Sequence, residues 1–264
     1  MKNSLVEYGF DNASGVATLT FNRPDVLNAI NVPMAEAFLA AARQLSEQPG
    51  LRCVVLTGAG RAFMAGGDVA SMAGSPEHAA QVVNALLGAL NPAILLLRRL
   101  DAPVIAAVKG AAAGAGLSLA LMADLIVAEE NARFLIAYNG IGAVPDCGGS
   151  WFLPHRIGAG RAAEMMMLSR TLSAAEAKQW GMVTEVAATG QFSEVLAATI
   201  NKAASGATRA FGAFRRLVDQ ASGSSLETHL ETERQSFLKM VETADFQEGV
   251  AAFLAKRPAA FRGH

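Results

Sequence analysis

Apolar and polar residues alternate through Val16–Phe21 (VATLTF) and the alternation stops at Asn22-Arg23-Pro24-Asp25, a cluster that favours a turn. A helical spacing of apolar residues then runs from about Met34 to Leu45. Cys53–Thr57 is a short continuous apolar run closed by Gly58-Ala59-Gly60, and Val104–Val108 is a second, closed by Gly110. Runs of this kind predict strands buried on both faces. Leu125–Ala128 is a third, preceded by an Ala/Leu-rich helix at about 115–123. Strand, glycine loop and helix thus recur, which predicts a layered α/β fold.

The pattern changes after Gly158. Arg161–Leu168 has helical spacing, and Ser173 with Glu176 forms a capping box for a helix ending at Gly181, followed by a strand over Met182–Val186. Beyond about residue 190 only helical patterns occur, near 192–205, 208–220, 225–243 and 245–255, broken at Ser222-Gly223-Ser224. The division predicted is a core over 1–205 and a helical region over 206–264. Leu226, Leu230, Phe237 and Val241 recur at near-helical spacing, which fits packing on the core or a contact between subunits.

Composition narrows the functional classes. The 264 residues are 52% hydrophobic and 17% charged with a formal charge of −1, an ordinary globular balance. The near-neutral charge, without blocks of one sign, argues against nucleic acid as a partner. Glu7 and Asp11 precede any apolar run, so no signal-peptide core is visible and a cytoplasmic location is expected. The uncharged stretch Gly110–Ala123 is too short to span a bilayer, and no membrane partner is expected. Cys53 and Cys147 make neither a disulfide framework nor a zinc site, and no metal constellation is visible.

Two glycine-rich segments follow buried strands: Gly58-Ala-Gly-Arg-Ala-Phe-Met-Ala-Gly-Gly-Asp68 and Gly110-Ala-Ala-Ala-Gly-Ala-Gly116. Neither carries the Gly-Lys-Ser/Thr of a phosphate loop or the GxGxxG spacing of a dinucleotide loop. Glycine there lets backbone N–H groups approach a ligand, and a helix starting near Ala115 favours negative charge. The two loops could form an oxyanion hole or be plain tight turns.

Together with Asn22-Arg23-Pro24, Leu27-Asn28-Ala29, Pro103–Gly116, Leu119-Ala120 with Asp124, Val144-Pro-Asp-Cys-Gly-Gly149, Leu172–Ala177, Gly181-Met-Val183 and Ala251–Pro258, these segments resemble the enoyl-CoA hydratase/isomerase, or crotonase, family. The likeness runs in order from about residue 5 to the end. It implies an α/β spiral of ββα units with a C-terminal helical trimerisation region, giving a homotrimer or dimer of trimers. It also implies an acyl-CoA thioester as substrate, with coenzyme A as part of the substrate and no separate cofactor. The thioester oxygen would be held by the N–H groups of Gly67 and Ala115, where Ala stands in place of the commoner Gly. Arg23, Val26, Ala65, Gly67, Asp68 and Val69 would lie along the CoA. Trp151 would border the acyl pocket or pack in the core, and Lys256, Arg257, Phe261 and Arg262 would either reach a neighbouring subunit's nucleotide or form a solvated tail.

The departures from the family bear on the reaction. Hydratases of this family carry two glutamates, at the places held here by Ser118 and Tyr138, and neither hydroxyl replaces a carboxylate near neutral pH. Asp146 is the remaining acid near the expected acyl pocket. It resembles the aspartate of the 1,2-epoxyphenylacetyl-CoA isomerase branch, which shares Gly-Gly-Ser/Thr-Trp followed by Leu-Pro. The expected activity is movement of a double bond in an enoyl-CoA with Asp146 as the proton carrier. The alternatives are hydration or another enolate-forming reaction, or acyl-CoA binding without catalysis. Asp146 could also serve only as a turn residue between Pro145 and Gly148. Glu164 and His155 are weaker candidates, better explained by local contacts.

Overall fold

A computed structural model describes residues 4–264. Strands β1 (Val6–Asp11) and β2 (Val16–Phe21) form an antiparallel hairpin, with Ala17, Leu19 and Phe21 of β2 fully buried. Helix α1 (Val32–Ser46) is capped by Asn31 and leads to β3 (Cys53–Gly58), parallel to β2. Helix α2 (Pro76–Arg99) leads to β4 (Val104–Val108). The large sheet has the order β1-β2-β3-β4-β6-β9, with β6 at Leu125–Glu129 and β9 at Glu185–Ala187, and is parallel beyond its first hairpin.

Between these strands the chain makes short excursions into a second sheet, β5 (Ala111–Ala113), β7 (Arg133–Leu135) and β8 (Leu172–Ser173). Gly110 turns β4 into β5 at φ 55°, and a Cβ there would sit 2.1 Å from the Arg61 carbonyl oxygen. Helix α3 (Ala115–Leu121) completes one ββα unit; β6, β7 and α4 (Gly149–Ile157) form the next. This is the expected spiral. One sheet face packs on α1 and α2; Val55, Ile105 and Val127 on the other meet Phe192 and Ala203 of α7 (Phe192–Ala204).

Three differences from the sequence pattern bear on the helices and on the last strand of the large sheet. Helix α2 was not among the expected elements, and it carries Gly88 and Pro92 in its interior. It is long and apolar enough to cross a membrane by length and composition, and its Leu86, Leu90, Ala93 and Leu97 are buried in the core. The strand expected at Met182–Val186 begins only at Glu185. Met182 and Val183 instead donate to the Ala177 carbonyl, closing α6 (Ala174–Gln179) around Gly181, whose φ is 85°.

The third difference lies in the C-terminal helices, α8 (Thr208–Ala221), α9 (Leu226–Val241) and α10 (Ala244–Leu254). The periodic residues Leu226, Leu230 and Phe237 do not pack on the core: they are 74%, 54% and 63% exposed, and α9 buries no residue in the single chain.

Candidate active site

The site is assembled by segments that carry little regular structure of their own. Pro24–Val26 forms a 3-10 turn, after which Leu27 and Asn28 adopt left-handed φ of 52° and 58°, a region asparagine tolerates well. The fully buried Asn28 side chain accepts from the Arg23 N–H and donates to the carbonyls of Ala59 and Ala62 at 2.9 Å. Asn28 therefore pins the Arg23 turn to the loop after β3. Pattern alone gave it no role beyond membership of a motif.

The chain then passes from Met64 to Asp68 between two neighbours. Met64 exchanges hydrogen bonds with Ala111 and Ala113 of β5. Ile30 donates to the Gly66 carbonyl and accepts from the Asp68 N–H, so Gly67's own N–H turns the other way and has no acceptor among the described residues. Gly66, with φ 106°, lies so close to β5 that a Cβ would be 3.1 Å from the Ala113 oxygen. Ala115 begins α3, so its N–H lies outside the helical ladder and also lacks a partner. Ala115 is not among the residues with positive φ, which is why a methyl group is admissible there. The geometry places the two expected donor loops side by side.

Ser118 is one turn further along α3, about 4.5 Å of helix rise from Ala115. Its hydroxyl is 3.3 Å from that of Tyr138, and the Tyr138 O–H donates to Asp146 Oδ1 at 2.5 Å. The two residues that replace glutamates and the one retained acid are thus a single hydrogen-bonded chain. Burial, with the Asp146 charge beside it, pushes the Tyr138 phenol far above its ordinary range, so it remains a neutral donor. The same two influences push up the buried Cys147 thiol.

Asp146 is not spent on its turn. The Gly149 N–H donates to the backbone carbonyl of Asp146, leaving the carboxylate for Tyr138. Ala137 and Cys147, the residues next to Tyr138 and Asp146, adopt φ of 61° and 51°, an uncommon conformation for non-glycine residues. Such strain recurs at functional sites. Gly149 is required here, because a Cβ would lie 2.4 Å from Ser118 Oγ.

The remaining expected residues divide into two groups. Arg23 pairs with Asp68 at 3.0 Å, Ala65 donates to the Leu27 carbonyl, and Val26 and Val69 are 45% and 51% exposed along the same edge. Ala65, Asp68 and Val69 lie within two residues of Gly67 in the chain, and the ion pair brings Arg23 to Asp68. Trp151 does not join them: it stacks on His155 and lines a cavity of about 700 Å³ between α4, α7 and α8 that includes none of Gly67, Ala115 or Asp146. The cause is helical phase: Gly149 faces Ser118, and two residues on, about 200° around the helix, Trp151 points away. Phe261 packs within its own chain against Gly249 of α10, and Lys256, just past α10, has its backbone N–H bonded to the Phe253 carbonyl.

The other polar residues are structural. Asp124 accepts from Arg98, Arg215 and the Val104 N–H, tying α2 and α8 to the sheet. His155 bonds to the Trp151 carbonyl, and Glu164 pairs with Arg170. Burial raises the Cys53 thiol to about 12; both cysteines are free.

A model of the enoyl-CoA hydratase/isomerase family matches residues 11–264. The chain belongs to this family. It is 37% identical over 250 residues to the 1,2-epoxyphenylacetyl-CoA isomerase of Escherichia coli, covering 94% of this chain and 95% of that one. It is 31% identical to the trans-2-decenoyl-[acyl-carrier-protein] isomerase of Streptococcus mutans, covering 97% of each. The crystal structure of an enoyl-CoA hydratase from Bacillus anthracis superposes with a TM-score of 0.89 at 31% identity, covering 98% of this chain and 100% of that one. The chain is therefore an enzyme of the hydratase/isomerase family, which acts on CoA thioesters, and its relatives include proteins named for both reactions.

Proposed function

We propose that this family member moves a double bond in an enoyl-CoA thioester between the β,γ and α,β positions, with Asp146 carrying the proton. The reading rests on one observation above the others: the only carboxylate in the Ser118–Tyr138–Asp146 chain is Asp146. Hydration needs one group to activate water and another to handle the Cα proton. Isomerisation needs a single base. Asp146 removes a proton from Cα of a 3-enoyl thioester, the electrons delocalise onto the thioester oxygen, and the same proton returns at Cγ. The N–H groups of Gly67 and Ala115 hold that oxygen as its charge develops. The Arg23–Asp68 edge with Val26, Ala65 and Val69 carries the CoA.

A panel of 3-enoyl-CoA and 2-enoyl-CoA substrates, followed for bond migration and for incorporation of labelled water, tests this reading. Isomerisation is expected to be much the faster reaction. A hydration rate equal to or above it would overturn the assignment.

The exposed apolar faces of α8–α10 also support a homotrimer, singly or paired, because monomeric proteins rarely leave large apolar patches uncovered. Light scattering at micromolar concentration is expected to give the mass of three or six chains, and a purely monomeric species would refute it.

A further inference from the structure

We infer that Tyr138 is a positioning residue for Asp146: its phenol O–H, held in turn by Ser118, fixes the Asp146 carboxylate with Oδ1 occupied and Oδ2 left to carry the proton. This rests on the proposed role of Asp146 as base. The geometry that carries it is the continuous chain from Ser118 Oγ to Tyr138 Oη at 3.3 Å and from Tyr138 Oη to Asp146 Oδ1 at 2.5 Å. Ser118 is 1% and Tyr138 9% exposed, so water does not compete freely for these bonds.

The arrangement answers a problem that a single-base isomerase faces. One carboxylate must reach two carbons, taking a proton from one and returning it to the other. A carboxylate free to rotate would present either oxygen. Donation from a neutral phenol favours the anion and breaks the equivalence of the two oxygens. The phenol keeps its own proton throughout: Oδ2 gains the Cα proton and loses it to Cγ, and the Tyr138 O–H···Oδ1 bond persists in both states. The titratable groups facing Asp146 are Tyr138, from the turn after β7, and Cys147, from its own loop. Both are held neutral, Ser118 of α3 is uncharged, and no ion pair to Asp146 occurs among the described residues.

Tyr138→Phe keeps the ring and deletes only the donor. For isomerisation of a 3-enoyl-CoA, the expected result is a plateau kcat lowered by about 10- to 100-fold, as for loss of one hydrogen bond to a charged group, with KM little changed. Ser118→Ala should lower kcat in the same way by less, again with KM little changed. A Tyr138→Phe enzyme with wild-type kcat, or one that merely raises KM, would overturn the inference. Should Tyr138→Phe fail to fold, Ser118→Ala decides alone, an unaltered kcat counting against. Asp146→Asn separates the two levels: wild-type turnover there sinks the base itself, whereas an inactive Asp146→Asn beside an unaltered Tyr138→Phe sinks only the positioning role.

Discussion

Asp146→Asn is expected to fold normally, bind acyl-CoA with near-unchanged affinity and lose about 10²- to 10⁴-fold in turnover, the usual worth of a general acid or base. The surroundings favour a clean separation of chemistry from shape. The turn at 146–149 is closed by the backbone carbonyl of Asp146, which the substitution leaves in place. The amide oxygen of Asn can still accept from Tyr138 at the position of Oδ1, so the buried hydroxyl chain keeps its partner. What changes is Oδ2, replaced by an amide nitrogen that cannot accept a proton near neutral pH. Steady-state kinetics on a 3-enoyl-CoA, with acyl-CoA affinity measured separately, check this. Turnover near wild type would show that Asp146 serves its turn and nothing more.

The architecture could be anticipated from sequence wherever one segment carried its own signal. The strand runs at Cys53 and Val104, the capping box at Ser173 and Glu176 and the terminal helices all lie within a residue or two of expectation, because apolar period and capping chemistry are local properties. The short strands β5, β7 and β8 were not legible, since two or three residues carry no period and are defined only by pairing across the chain. Within the site, motif likeness pointed to Gly67, Ala115 and Asp146 individually. It could not show that Ser118 and Tyr138 bond to one another and to Asp146, because the three are separated in sequence and meet only when α3, the turn after β7 and the start of α4 converge. Trp151 shows the converse: the acyl pocket and core packing were equally open for it, and helical phase turns its ring into another cavity.

Gly116→Ala should lower kcat by about 100-fold, the expected cost of misplacing one oxyanion donor. A Cβ at Gly116 would stand 2.4 Å from the Met64 carbonyl oxygen and 2.7 Å from its Cβ, so backbone must move. Either partner in that collision carries a donor. Gly116 adjoins Ala115, and Met64 lies three residues before Gly67 on a segment bonded to both β5 and Ile30, so displacement of either changes the spacing of the two N–H groups. A shift of about 1 Å takes a donor outside the narrow range over which it stabilises a developing oxyanion, and comparable misplacements cost about 100-fold. Asp146 and Tyr138 do not take part in this contact, so the proposed base is left in place. Gly160→Ala, in α5 (Ala159–Met167), where a Cβ would meet nothing within 4 Å, supplies the control and should leave turnover unchanged. Kinetics and thermal melting of the two variants together give the test: a Gly116→Ala enzyme as active as the Gly160→Ala control would mean that the two loops do not jointly hold the thioester oxygen.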